Sequence, residues 1–208
     1  MKKNPAGAEQ HSSNGEGVTA TRERILQAAS RLMQRQGYDG TGIKQIATDA
    51  EATLGSVYHF FPGGKQELAI AAIHRGDLDF VEVLTAAFDD EDDPAEAIVL
   101  LTRRLAEGLR ASDWRDGCPI TTTALGASER LPDIRAAAAE AFTRWHTVVF
   151  DRLRGAAFSD EDAHALAHTV ISTLEGAELT SQVSRSSEPL EVSGRHLGRL
   201  IESFRQMS

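Results

Sequence analysis

Cysteine is nearly missing from this chain. Cys118 stands alone among 208 residues, so neither an internal disulfide framework nor a multi-cysteine metal site can form. That excludes a disulfide-stapled secreted scaffold and a zinc scaffold, and it makes a reducing cytoplasm the expected compartment. Long apolar runs are missing too. Nothing approaches the ~20 residues of a membrane span, and Met1-Lys2-Lys3-Asn4-Pro5 lacks the apolar core of a signal peptide. No segment alternates apolar and polar residues convincingly, so strands have no pattern to rest on. Net positive charge is the last absence. A balance of −9 argues against a general nucleic-acid coat protein or a nonspecific architectural DNA binder.

What is present suffices for a folded body. Apolar residues make up 41% before the 17 glycines are counted, which sustains a sizeable core in one globular unit. The charge is unevenly spread. Residues 1–75 carry 9 Lys/Arg against 7 Asp/Glu, whereas residues 76–208 carry 13 against 24. A mildly basic head on an acidic body lets one face approach phosphates while the rest is repelled. Residues 1–18 are polar, aperiodic and rich in Gly, Ser and Asn; they are expected to form a disordered tail.

Beyond the tail, helical spacing dominates. Ile25, Ala28, Ala29, Leu32 and Met33 fall on one face and predict a helix over about 21–36, stopped by Gly37. Two short segments follow, Ile43–Ala50 and Leu54–Phe60, and then a longer helix from near Lys65 to the acidic loop at 89–93. Prolines mark the later starts. Pro94 and Pro132 each sit where a missing backbone donor costs little, at a helix opening, and Pro119 with Pro132 brackets a short segment. Ser159 with Asp162 resembles a capping box, and a last helix follows Pro189. The chain reads as all-α, with about nine helices and no internal repeat.

The informative stretch is 21–68. Two short helices joined by a tight turn, backed by an amphipathic helix, have the geometry of a helix-turn-helix. Ile46, Ala47 and Ala50 are mostly small, so the short helices can cross closely. Thr53 suits the N-cap of the recognition helix. With Leu54, the small Gly55 and Ser56 let its first turn approach base edges in the major groove. Thr41 and Lys44 lie at the start of the preceding helix, while Tyr58, His59 and Lys65 are placed to reach phosphates. Tyr58 also reads as a core aromatic with a wet hydroxyl, Lys44 as a solvated lysine, and His59 as exposed surface.

Thr41, Ile46, Ala47, Ala50, Thr53, Gly55, Val57, Tyr58, His59, Phe60 or Phe61, Lys65 and Leu68 together resemble the TetR family of bacterial repressors. The resemblance covers about a quarter of the chain. It implies a DNA-binding domain over 19–66 and a helical domain over 67–208 that dimerises and holds a small effector. Two departures stand out. Glu51 occupies the turn where the family usually has Gly, and Pro62-Gly63-Gly64-Lys65 is one residue longer than the commoner spacing. That insertion, Gly117-Cys118-Pro119 and Glu175-Gly176-Ala177 are similar to the LmrA/YxaF subgroup.

Cys118 invites a nucleophile, and a helical small-molecule-binding or hydrolytic protein using it is the alternative function. No base or oxyanion constellation accompanies it, so a small buried residue fits better and no catalytic residue is assigned. His164 and His168 have i, i+4 spacing, but with His146 no third ligand can be identified from spacing, so no metal and no cofactor are expected. Under the resemblance, the effector site is expected among Trp114, Cys118, Thr122, Phe142, Trp145, His146, Val149, Thr169 and Thr173. Their hydroxyls also read as bonded back to helix carbonyls.

The expected function is a ligand-responsive repressor. It should bind double-stranded operator DNA as a homodimer, be released by a small hydrophobic, aromatic effector, and have no membrane partner. Two symmetric recognition helices about 34–36 Å apart would demand a palindromic operator. The last two helices, near 160–183 and 190–205, are expected to form the dimer contact, with Leu197 and Ile201 buried in it. The acidic balance of the body disfavours an anionic effector and merely permits a cation. The protein is expected in the bacterial cytoplasm, at the nucleoid when on its operator.

Overall fold

The computed structural model describes residues 12–207 apart from residue 128. Among these there are nine helices and no strand: α1 (Ser12–Gly40), α2 (Ile43–Asp49), α3 (Leu54–Phe60), α4 (Gly64–Asp90), α5 (Pro94–Ala111), α6 (Pro119–Ala124), α7 (Pro132–Gly155), α8 (Asp160–Ser184) and α9 (Glu188–Met207). None is long and apolar enough to cross a membrane.

Local chemistry accounts for most boundaries. Pro94, Pro119 and Pro132 each open a helix. Asp93 caps α5 by accepting from the Ala95 amide at 2.8 Å. Ser159 caps α8 by accepting from the Asp162 amide at 3.1 Å, and its own hydroxyl donates to the Asp162 carboxylate. Gly37 breaks α1 with φ +69° and ψ 179°. A side chain there would meet the Thr122 carbonyl oxygen at 3.0 Å, so glycine satisfies both the left-handed backbone and the close approach of α6.

The tail expectation needs revision where it can be read. Residues 1–11 lie outside the described residues, but α1 already begins at Ser12, so residues 12–18 are helical. Once the packed part of α1 has nucleated, each further turn adds hydrogen bonds without a second nucleation cost. Sequence period could not show this, because the added turns carry no apolar stripe.

The core runs through head and body without a break. Ile25, Ala28, Ala29 and Met33 of α1 pack with Ile46, Val57, Phe61 and Leu68. The same core continues into the body through Ile73 and Leu84 of α4 and Trp145 of α7. The expected domain boundary at 66/67 falls inside α4, one continuous helix.

Leu197 and Ile201 are not on an outer face. They are 3% and 0% exposed, buried within the protomer where α9 lies along α5. The approach is close because α9 carries glycine at the crossing: a side chain at Gly194 would sit 2.1 Å from Thr102 Oγ1. The outward apolar face belongs instead to α8. There Leu179 is 55% and Val183 79% exposed, beside exposed Thr169, Ser172, Gly176 and Thr180.

Candidate nucleic-acid interface and ligand cavity

The turn between α2 and α3 is fixed by short backbone bonds. The Glu51 amide donates to Thr48 at 3.1 Å and the Ala52 amide to Ala47 at 2.9 Å. Arg24 Nε of α1 donates to the Ala50 carbonyl at 3.1 Å, tying the turn to the supporting helix. Glu51 adopts φ +50°, a left-handed conformation that costs a non-glycine residue on the order of 1 kcal/mol. Thr53 Oγ1 accepts from the Ser56 amide at 3.0 Å and so starts α3. Val57 and Phe61 anchor α3 in the core, with Phe60 half-buried. Lys44, Leu54, Gly55, Tyr58 and His59 are left exposed on the outside.

Behind α3, Gly64 takes φ +62° and α4 begins. Lys65 Nζ lies 4.2 Å from the centre of the Tyr38 ring. Burial pulls its ammonium below the usual lysine value, while Asp39 opposes the shift. The charge is thus held in place on an aromatic face rather than swinging free. Thr41 is different. It is 1% exposed, and its hydroxyl donates to the Gly37 carbonyl at 2.8 Å, so its side chain closes the end of α1.

In the body, a cavity of about 390 Å³ opens among five helices. Its wall includes Gln34 of α1, Gly76, Asp79, Phe80 and Val83 of α4, Arg104, Leu105, Gly108 and Leu109 of α5, Trp145 of α7, and Glu175 and Glu178 of α8. Asp116–Pro119, leading into α6, complete it. A second cavity of about 220 Å³, lined by Thr121, Thr122, Phe142 and Leu179 among others, shares Cys118 and Glu175 with the first. A hollow of about 510 Å³ between α5 and α9 is larger, but its rim is Arg103, Glu107, Arg110, Glu191 and Arg195. Beside Val99, Thr102 and Ala106 it has no aromatic side chain and five charged ones, so its lining is less apolar than that of the interhelical cavity.

Trp145 is held by polar as well as apolar contacts. Its Nε1 donates to Asp77 Oδ1 at 3.0 Å, and Arg144 Nε donates to the other carboxylate oxygen at 2.8 Å. Phe80 and Phe142 lie 4.2 and 5.1 Å from its ring centre. Burial pushes the Glu178 carboxyl up to about 8, with Glu175 adding to the effect. Glu175 is raised by burial too, although the Thr121 hydroxyl donates to it at 2.5 Å and opposes the shift. The Cys118 thiol stands well above its ordinary value, first through burial and then through the two carboxylates. A nucleophilic cysteine needs the opposite environment.

Residues 25–72 match the model of the bacterial regulatory proteins, tetR family, and residues 94–196 match the LmrA/YxaF-like C-terminal domain of transcriptional regulators. The HTH-type transcriptional regulator YxaF of Bacillus subtilis is 34% identical over 170 residues, covering 82% of this chain and 89% of the relative. The chain belongs to the TetR family. LmrA of the same organism is likewise 34% identical, over 82% of this chain and 90% of its own. A regulatory protein TetR from Rhodobacter sphaeroides superposes with a TM-score of 0.78 at 28% identity, over 86% of this chain and 97% of that one. This TetR-family chain is therefore a transcriptional regulator of the LmrA/YxaF-like type, and the relatives named here are regulators rather than enzymes.

The TetR-family fold brings together only part of the expected effector set. Cys118 and Trp145 line the larger cavity; Cys118, Thr122 and Phe142 line the smaller. Trp114 packs on the separate cluster of Ala106, Leu109, Ala177 and Leu190. Val149 is 1% exposed in the core, and Thr169 bonds back to the Ala165 carbonyl. Val149, His146, Thr169 and Thr173 are on neither cavity wall. The His146 ring centre lies 4.1 Å from that of His168, with His164 4.7 Å from His168. The first pair is tilted and the second edge-on, and no group able to hold a metal occurs among the described residues. Glu178 and Phe80 were missed by sequence reasoning. The available signal was a pair of acids at i, i+3 on a helix otherwise without charge from residue 163 to 184.

Proposed function

We propose that this regulator is a repressor that binds a palindromic operator as a homodimer and is released by a small hydrophobic, aromatic effector. Residues 19–66 form the DNA-binding unit, and residues 67–208 hold the effector and dimerise. The single observation that carries this reading is the course of α4. Its first turn presents Lys65 beside Tyr38 in the head, and about three turns later Gly76, Asp79, Phe80 and Val83 form one wall of the cavity. A rigid helix cannot be displaced at the cavity without moving its end in the head, and packed interfaces convert small shifts into discrete states.

DNA contact is assigned to Lys44, Thr53, Leu54, Gly55, Ser56, Tyr58, His59 and Lys65. Thr41 acts there through its backbone and by closing α1. The exposed, uncharged face of α8 is the surface on which two protomers pair. A reducing cytoplasm, with the nucleoid as the place of operator binding, is the matching location. Reading Cys118 as a nucleophile loses support, because its thiol is held protonated.

The test is a gel shift with DNA flanking the coding region, in excess competitor DNA. A retarded, competitor-resistant complex that dissolves on adding a cavity ligand is the expected result. Absence of any specific complex, with selection from random DNA also yielding no palindrome, would sink the reading.

A further inference from the structure

The larger cavity is walled on one side by two neighbouring carboxylates and on another by stacked aromatic rings. We propose that it takes organic cations, a quaternary or protonated amine carried on an aromatic body, with Glu175 and Glu178 as the counter-ions. The inference rests on reading this cavity as the effector site and names the chemical class of its ligand.

Glu175 and Glu178 stand three residues apart on α8, side by side on one face, and both line the cavity. Glu175 is met by the Thr121 hydroxyl and the Cys118 thiol, neither of which carries a positive charge. Glu178 is half-buried on the cavity wall, and among the described residues neither a hydrogen-bond donor nor a basic side chain engages it. A buried carboxyl without a partner is unfavourable unless something else fills the role. The neighbouring charges do not fill it. Arg104 on the same wall is paired with Asp90, Asp116 is paired with Arg35 at 2.5 Å, and Asp79 lies 3.9 Å from Arg75. The missing partner is a positive charge brought in from outside.

The rest of the wall suits the body of such a ligand. Phe80 and Trp145 lie 4.2 Å apart between ring centres, and aromatic faces attract cations as well as apolar surface. An anion would meet two carboxylates and no free cation. A neutral ligand would leave the pair unused, except as a protonated hydrogen-bond donor. The net acidity of residues 76–208 merely permits a cation; the buried pair selects one. Since Glu178 holds its proton up to about pH 8, an arriving cation should favour the ionised form and release that proton to solvent.

Two probes of one shape test this: benzyltrimethylammonium and its uncharged isostere neopentylbenzene. Each is titrated into the full chain by Trp fluorescence, and the cation also by calorimetry at pH 7 in buffers of different ionisation enthalpy. The cation should bind at least ~10-fold more tightly than the isostere and release protons. The preference should disappear in Glu175→Gln/Glu178→Gln, and proton release should disappear in Glu178→Gln alone. If the double variant does not fold, each single variant must still reduce the preference. Equal affinities, a preference that survives these substitutions, or no saturable cation binding at millimolar concentration would each overturn the proposal. Operator binding in the same samples separates the two readings. A cation that fills the cavity without loosening operator DNA sinks the regulatory mechanism and leaves the charge class standing. Release by the neutral probe alone does the reverse.

Discussion

Glu178 should make the ligand-free protein less stable as pH rises. Burial first, and Glu175 second, raise its carboxyl to about 8 in the fold, against about 4.3 in an unfolded chain. Between those values the folded state binds more protons than the unfolded one. Its contribution is therefore fully present below pH ~4 and is lost as pH climbs through 8. Glu178→Gln removes that loss. Its melting temperature should exceed that of the parent by roughly 5 °C at pH 8 and by little at pH 5, and equal shifts at both would contradict the burial of the carboxyl. At the head, Lys65→Ala removes an ammonium already fixed over Tyr38. It should weaken binding to all DNA sequences alike and reduce the slope of log K against log salt by roughly 1 per lost protomer contact. An unchanged slope would show that Lys65 touches no phosphate.

At the scale of elements, both α8 and α9 were expected at the dimer contact, and α8 turns apolar side chains outward at Leu179 and Val183, whereas Leu197 and Ile201 of α9 face inward. The apolar stripe of α9 is spent inside the protomer, so Leu197→Asp should unfold the chain. A charge at a site 3% exposed finds no partner there, and such burial costs several kcal/mol. Leu179→Glu with Val183→Glu should instead leave the melting transition of the protomer nearly intact and shift sedimentation from dimer to monomer. If that pair leaves the assembly unchanged, the α8 face is not the contact. What was legible and what was not divide on the same line. The helix starts at Pro94, Pro132 and Ser159 were readable because caps and missing donors act within one turn. The helix-turn-helix was readable because its small residues and Thr53 cap are close in sequence. Whether the stripe of α9 meets its own chain or another copy was not, since period alone does not name the partner. The same limit hid Glu178, whose role depends on what four other helices leave around it. It also hid His146, which reaches His168 only through the packing of α7 on α8.

The molecule as a whole offers two routes between cavity and DNA. One is α4. The other is α6 with the loop before it, which lines the cavity at Cys118 and touches the end of α1 on its far side. There Gln34 Nε2 donates to the Gly117 carbonyl at 2.7 Å, Arg35 pairs with Asp116, and Gly37 lies against the Thr122 carbonyl. Effector and operator must weaken each other by the same factor, with a coupling of typically ~1–3 kcal/mol. An ion pair as exposed as Arg35–Asp116, at 35% and 31%, contributes at most ~1 kcal/mol. Its loss can therefore reduce the coupling without abolishing it. Arg35→Gln with Asp116→Asn removes both charges of the pair, so it leaves no free carboxylate on the cavity wall and keeps the outer face of α3. It should leave effector affinity of the free protein and operator affinity of the ligand-free protein nearly unchanged, while the ratio of operator affinities with and without effector falls by up to ~5-fold. The reciprocal ratio, effector affinity with and without operator, must fall equally. If the two ratios move together, α6 carries part of the switch. If neither moves, the displacement of α4 carries all of it, and the contacts between α6 and α1 serve only to hold the head in place.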